Sequence, residues 1–113
     1  MFKLIFKRDI VKKIDDFIDW YLNSFLNLFI DSWIDNIKEI EENYIKIATN
    51  FRNNIYSSLK NILVEDIILG KRIWEKQELS IIVSVWNYRL FVDYKEDKNS
   101  KNRFIEDIEF YRK

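Results

Sequence analysis

The C-terminal third of the chain constrains the fold more than any other part. Between Leu79 and Tyr111 the sequence is rich in Ile, Val, Phe, Tyr and Trp, which favour extended structure. Two polar interruptions, at Asn87 and at residues 95–102, divide this stretch as turns would divide a sheet. The pattern predicts an antiparallel meander of three strands at 79–86, 88–94 and 103–110.

The central predicted strand has one apolar face and one mixed face, because side chains alternate along a strand. The apolar face carries Tyr88, Leu90, Val92 and Tyr94. The opposite face carries Arg89, Phe91, Asp93 and Lys95. A lone meander is marginally stable in water and has to cover its apolar face with helices. We therefore expect the part of the chain before Gly70 to supply that cover.

A strand and a helix are predicted at the start of the chain. Residues 2–7 alternate as a strand would, and we expect this strand to join the meander. Asp9 is the expected N-cap of a first helix. Its apolar residues recur at helical spacing: Ile10, Ile14, Phe17, Tyr21, Phe25, Leu28 and Phe29. A polar stripe spaced four residues apart drifts around a straight helix, so a bend or turn is expected within residues 23–35.

A second helix follows, and its apolar residues again recur at spacings of three and four: Ile37, Ile40, Tyr44, Ile47, Phe51, Ile55, Leu59 and Ile62. Gly70, the only glycine, marks its expected exit, because glycine tolerates the positive φ of a helix C-cap or a loop. A charged connector is expected at 71–78. Together these elements predict an α+β fold, in which an N-terminal strand and a two-helix hairpin pack on a C-terminal antiparallel meander of three strands.

Composition excludes several classes of chemistry. The 113 residues give room for one domain, spanning 1–113. The chain contains neither Cys nor His, so disulfides, thiolate metal sites and histidine bases are excluded, and we expect no cofactor or metal. Nineteen basic and nineteen acidic residues cancel, so no overall positive field draws the chain to nucleic acid. No segment has the pattern of a signal peptide or a membrane span, which predicts a cytoplasmic protein without membrane contact.

The predicted order of strand, helix, helix and three-stranded meander resembles the RelE/ParE superfamily of type II toxin–antitoxin toxins. The resemblance depends on the tract Asn87-Tyr88-Arg89-Leu90-Phe91, which opens the central strand, and on the later tract Arg103-Phe104-Ile105-Glu106-Asp107-Ile108. Residues 14–40 are also similar to the first helical hairpin of that family. The resemblance implies a toxin that is neutralised by a cognate antitoxin protein and that acts on DNA gyrase or the ribosome.

The resemblance also implies roles for individual residues. Arg89 matches the strand arginine that contacts the scissile phosphate in ribonuclease members, and a guanidinium is suited to that contact. Tyr111 lies where catalytic members place an aromatic acid or base, with Arg112 and Lys113 beside it. A basic rim would come from Lys71, Arg72 and Lys76, with Glu75 or Glu78 as a candidate base. The alternative for each residue is a purely structural or solvated role.

The sequence departs from the ribonuclease pattern in ways that favour a gyrase-poison-like toxin. The first meander strand, at 79–85, contains neither Arg nor Lys, although ribonuclease members usually carry a second basic residue there. The chain also lacks the net positive charge that binding of ribosomal message would require. Members that act on gyrase by protein contact need no catalytic residues.

Other classes remain open at this point. A non-enzymatic immunity or inhibitor protein would use Trp86, Tyr88, Phe91 and Tyr94 as interface anchors, because aromatic residues dominate binding hot spots. The same sheet face could stack single-stranded nucleic acid, although few Lys or Arg residues accompany it. Trp20, Phe25, Phe29 and Trp33 could dock on a membrane, but the acidic residues of that helix oppose this. The apolar helix faces are also compatible with a homo-oligomer.

Overall fold

The protein consists of a five-stranded sheet with two long helices on one face. The computed structural model describes residues 1–30, 37–66, 71–73 and 78–113; the side chains of 28–30, 37, 71–73 and 78 lie outside this description. The elements are β1 (Lys3–Phe6), α1 (Arg8–Ile30), α2 (Ile37–Leu63), β2 (Lys71–Ile73), β3 (Glu78–Val85), β4 (Tyr88–Asp97) and β5 (Asn102–Arg112). The predicted α+β fold is confirmed, with a strand and two helices preceding an antiparallel meander.

The sheet has the strand order β1-β5-β4-β3-β2. Strands β3, β4 and β5 form the predicted antiparallel meander, and β1 joins it by pairing in parallel with the start of β5. The prediction that residues 71–78 form only a connector is wrong. Lys71–Ile73 forms β2, which pairs with the first residues of β3. These three residues offer too little alternation for a strand to be recognised before its partner is known.

The core lies between the helices and one face of the sheet. Leu90 and Val92 of β4 have no exposed surface, and Tyr94 is also buried, as the alternation along β4 predicts. The register between β4 and β5 shifts at Asp93/Tyr94, which is the signature of a β-bulge. Because the bulge resets the alternation on β5, Ile105 and Ile108 both reach the core even though they are three residues apart.

The helices bury the faces that their spacing predicts, with one correction. Ile10 and Ile14 of α1 are fully buried. The buried residues of α2 are Ala48, Phe51, Ile55, Leu59 and Leu63. Ile47 and Ile62 were expected on this face but are exposed, because the buried stripe runs through their neighbours Ala48 and Leu63. Within the described residues, neither helix combines the length and hydropathy needed to cross a bilayer.

The ends of the helices differ from the predicted ends. Helix α1 begins at Arg8, so Asp9 lies in its first turn, where its charge favours the helix dipole, and is not the N-cap. Helix α2 ends at Leu63, well before Gly70, so Gly70 is not its C-cap; the other expectation, a loop at Gly70, lies outside the described residues. Arg103 of β5 lies at the end of α2 instead. Its guanidinium donates hydrogen bonds to the carbonyl oxygens of Leu63, Glu65 and Asp66. A bend or turn was expected within residues 23–35. Helix α1 continues without a break up to Ile30, and residues 31–35 lie outside the described residues.

The turn between β4 and β5 contains a strained residue that gives a testable prediction. Lys101 has a φ of 57°, in the left-handed region, which costs a residue with a Cβ about 1–2 kcal/mol. Glycine adopts this conformation without a steric penalty, although it loses more entropy on folding. We expect Lys101→Gly to raise the free energy of unfolding by about 0.5–1 kcal/mol in urea denaturation.

The matched control is Lys98→Gly, in the same exposed turn but without a positive φ. This control should leave stability unchanged or lower it, because it adds only the entropic cost of glycine. The backbone bond from Lys3 N–H to the Lys101 carbonyl is retained, whereas the exposed contacts of Lys101 Nζ with Asp66 at 3.8 Å and with the Phe2 ring are lost, at little cost in water. Equal effects of the two substitutions would contradict an origin in backbone strain.

Candidate interaction site

On the face of the sheet opposite the helices, side chains form rows that run across the strands. The strand register sets which residues share a row. In one row Ser84, Arg89 and Tyr111 lie side by side across β3, β4 and β5. The next row contains Ile82, Phe91 and Glu109, and the third contains Ser80, Asp93 and Asp107. Residues directly opposite one another in an antiparallel pair have Cβ atoms about 4.5–5.5 Å apart. The register therefore brings residues from three strands into one small surface.

The two candidate catalytic residues are neighbours on this face. Arg89 on β4 is the register partner of Tyr111 on β5, and both side chains are exposed. They line a shallow groove, the outer groove, whose wall residues are Ser80, Arg89, Phe91, Asp93, Glu109, Tyr111 and Arg112. The sequence resemblance implied both residues separately, and the pairing of β4 with β5 brings them together.

Phe91 supports the aromatic part of the outer groove. Its ring meets the Tyr111 ring edge to face, with centroids 5.0 Å apart. This is the geometry that aromatic quadrupoles favour. Phe91 and Tyr111 both remain partly exposed, as does Ile82 next to them. Three large apolar side chains thus face solvent on a sheet face where polar residues would ordinarily lie.

The charges of the outer groove are mixed. Arg89 and Arg112 contribute positive charge, whereas Asp93 and Glu109 contribute negative charge to the same lining. Glu109 is partly compensated from α1, where Lys13 Nζ lies 3.6 Å from its carboxylate. Lys13 also bonds Asp107, and this hydrogen bond, with the nearby carboxylates, raises the pKa of Lys13 above its ordinary value. The groove therefore offers no uniformly positive surface.

The remaining predicted binding residues occupy several places. Tyr88 belongs to the core side, where its ring lies 5.1 Å from Phe17 and 5.5 Å from Phe51. Trp86 is in the β3–β4 turn and is partly exposed, and Arg112 and Lys113 are exposed at the end of β5. Arg72 lies on β2, but its side chain is outside the described residues, as are Glu75 and Lys76 entirely.

Tyr94, an interface anchor in the immunity-protein alternative, cannot contact a partner in this structure because it is buried. Its inward position follows from the same alternation that buries Leu90 and Val92. Burial raises the pKa of the Tyr94 phenol above its ordinary value. Of the four aromatic residues named for that alternative, Trp86 and Phe91 are the exposed ones.

The chemistry available in the outer groove favours recognition. A guanidinium beside a phenol can grip a phosphate or a carboxylate. Stabilisation of a transition state is strongest in a site that excludes water, whereas Arg89 and Tyr111 are open to solvent. Among the described residues, no three or more Asp or Glu side chains cluster in a way that could hold a metal ion.

The sequence pattern did not single out six residues of these three rows as site residues: Ser80, Ile82, Ser84, Asp93, Asp107 and Glu109. Strand alternation alone places Ile82 and Asp93 on the outer side. Alternation does not place Glu109 on the outer face, because the bulge on β5 interrupts the alternation between Ile105 and Glu109. No protein-family model, curated protein or solved structure matches the chain.

Proposed function

We propose that this protein is a toxin of the RelE/ParE type that acts in the cytoplasm by binding a macromolecular target through the outer groove. The observation that carries the proposal is the pairing of Arg89 with Tyr111 on an uncovered sheet face. The order of strand, helix, helix and meander, on which the resemblance depends, supports it further. In this proposal a cognate antitoxin protein covers the sheet and the helical hairpin.

We favour protein contact, as in gyrase poisons, over cleavage of ribosome-bound mRNA. Cleavage requires a surface that attracts the phosphate backbone. The Asp93 and Glu109 carboxylates line the groove beside Arg89, and residues 79–85 of β3 carry no Arg or Lys. A mixed groove with exposed apolar side chains matches the composition of protein interfaces, in which aromatic residues and arginine are enriched.

Growth of cells that express the chain from an inducible promoter tests the mechanism. Expression should arrest growth, and co-expression of the cognate antitoxin should relieve the arrest. Tyr111→Phe keeps the aromatic ring and should retain arrest, and Arg89→Ala should weaken arrest without abolishing it, because contact through the groove requires neither a proton donor nor a phosphate ligand. Loss of arrest in both variants, with cleaved mRNA in the parent strain, would favour the ribonuclease branch. Absence of arrest by the parent chain would contradict the toxin proposal.

A matched pair of isoleucines tests whether the outer groove is the contact surface. Ile82 on the sheet is 57% exposed and Ile45 on α2 is 44% exposed, so glutamate at either position remains in water in the free protein. In a complex, Ile82→Glu would bury a charge, whereas Ile45→Glu would not. We expect Ile82→Glu to weaken target binding at least about tenfold, with little change for Ile45→Glu. Equal effects would place the contact surface elsewhere.

The second candidate is a non-enzymatic immunity or inhibitor protein. Trp86 and Phe91 favour it, since both are large aromatic residues with exposed rings. The neighbouring reading frame discriminates the candidates: a short DNA-binding antitoxin supports the toxin, and a large toxin or nuclease supports the inhibitor. In the second case expression of this chain should protect cells from its neighbour and should not arrest growth.

A further inference from the structure

A second concave site, the aromatic pocket, lies on the helix side of the sheet beside the β3–β4 turn. Its walls are formed by Trp20, Tyr21 and Phe25 of α1, by Trp86 of the β3–β4 turn and by Tyr88 of β4, with Arg112 at one edge. The cavity volume is about 290 Å³, enough for one large side chain. Apart from Arg112, it shares no lining residue with the outer groove.

Both tryptophans of the pocket are exposed but held in place. Trp20 is 57% exposed and stacks on Phe17, with ring centroids 5.9 Å apart. Trp86 is 43% exposed and stacks on the buried Phe51 at 4.6 Å, with the ring planes only 15° apart. A ring that is already fixed loses little conformational entropy when a ligand binds. The two indoles therefore form a preorganised binding surface.

The backbone of Trp86 provides an independent indication of function. Its φ is 53°, in the left-handed region that glycine or asparagine ordinarily occupies in a turn. A bulky aromatic residue in this conformation is costly, and such outliers concentrate at binding sites. Here the strained turn presents the Trp86 ring to the pocket while its inner surface packs on Phe51.

The pocket also has a defined charge. Arg112 is the one charged residue among its described lining residues. It lies opposite Tyr88 in the sheet register, and the following backbone N–H, of Lys113, donates to the Asn87 carbonyl at 2.8 Å. This bond ties the end of β5 to the turn that carries Trp86. The site therefore combines aromatic walls with a single cation, which complements an apolar ring next to one negative charge.

We infer that the aromatic pocket binds a partner polypeptide through an aromatic side chain that enters between the two tryptophans, with an adjacent carboxylate that pairs with Arg112. A single cation fits one carboxylate better than a nucleic-acid backbone, which requires several phosphate contacts. The pocket and the outer groove share Arg112 but no other lining residue, and the inference holds whether or not the chain is a toxin. It assigns a second recognition surface with its own ligand chemistry.

Titration of isotope-labelled protein with the peptide acetyl-Phe-Glu-amide, followed by NMR, tests the inference. The chain has four tryptophans, each with its own indole N–H signal, and two of them, Trp20 and Trp86, line the pocket. The signals of Trp20 and Trp86 should shift on addition of the peptide. The matched probe acetyl-Phe-Gln-amide lacks only the charge. It should bind about two- to fivefold more weakly, as expected for one exposed ion pair.

Two variants complete the test. Arg112→Gln should remove the difference between the two peptides, and Trp20→Ala should weaken both at least about fivefold without loss of folding, since Trp20 is exposed. The inference is overturned if the peptides bind equally to the parent chain or if their shifts map to Phe91 and Tyr111. Larger Trp20 and Trp86 shifts with adenosine monophosphate than with the peptides would also overturn it, by indicating a nucleotide ligand. Shifts that depend only on protein concentration would overturn it too, by indicating a second copy of the chain.

Discussion

Replacement of Arg103 by methionine is expected to lower the free energy of unfolding by about 3–5 kcal/mol, the usual cost of breaking a buried ion pair from one side. The Arg103 side chain is only 1% exposed, and its guanidinium lies 3.0 Å from the Glu96 carboxylate. It also donates to the carbonyl oxygens of Leu63, Glu65 and Asp66 at the end of α2. Methionine would fill most of the volume but leave these acceptors without a donor.

The planar guanidinium of Arg103 performs two functions, which a lysine or methionine at this position would not combine. It closes the C-terminal end of α2, where carbonyl oxygens lack helical partners, and its cation lies 3.7 Å from the Phe2 ring centroid. Arg103→Lys keeps the charge but cannot reach Glu96 and three carbonyl oxygens together. We expect the lysine variant to be less stable than the parent chain and more stable than Arg103→Met.

Urea denaturation followed by circular dichroism measures these differences. The matched control is Arg52→Met, because Arg52 pairs with Asp15 at 3.1 Å but is nearly half exposed. That substitution should cost no more than about 1 kcal/mol. A double variant, Arg103→Met with Glu96→Gln, should recover part of the loss, since the partly buried Glu96 carboxylate is then no longer left unpaired. Equal costs at Arg103 and Arg52 would contradict this role.

Phe51→Ala is expected to cost about 3–5 kcal/mol, the range for removal of a fully buried aromatic ring. Phe51 has no exposed surface and lies at the centre of a ring cluster. Its ring centroid is 4.7 Å from that of Tyr21, 5.7 Å from that of Phe17 and 4.6 Å from that of Trp86. Three parts of the chain, α1, α2 and the β3–β4 turn, therefore lose contacts together.

The control for this prediction is Phe91→Ala, which makes the same chemical change on the outer face. Phe91 is partly exposed, and its one described ring contact is with Tyr111. Its removal should cost only about 1 kcal/mol, because less apolar surface returns to water and no closed cavity forms. Denaturation gives both values, and the indole N–H signal of Trp86 in the NMR spectrum should shift in Phe51→Ala alone. A large loss in both variants would indicate that the sheet, and not the ring cluster, limits stability.

Much of the fold was readable from the sequence because periodicity is a local property. Alternation at Leu90, Val92 and Tyr94 predicted the buried face of β4, and helical spacing predicted Ile10, Ile14 and Phe51 as core residues. The same logic failed by one residue at Ile47 and Ile62. A spacing of either three or four is compatible with a helix, so the pattern alone does not choose between neighbouring apolar residues.

The end of α2, and the choice of which β5 residues face the core, could not be predicted in this way. Gly70 was the obvious local stop signal, yet the helix ends at Leu63, where Arg103 from a distant strand donates a hydrogen bond to the Leu63 carbonyl oxygen. The bulge opposite Asp93/Tyr94 likewise depends on how β4 and β5 are paired. Both features result from contacts between residues far apart in the chain, and local propensity carries no information about them.

The candidate sites likewise depend partly on local sequence and partly on contacts between distant residues. The sequence by itself determined which residue types are available, namely an arginine in a β-strand, many aromatic rings and no histidine or cysteine, and which of them share a strand face. Only the tertiary structure decided that Arg89 adjoins Tyr111 and that Trp20 and Trp86 line one pocket. The physical reason is that a side chain's face is set by its own backbone geometry, whereas its neighbours are set by strand register and by helix packing, which the whole chain determines.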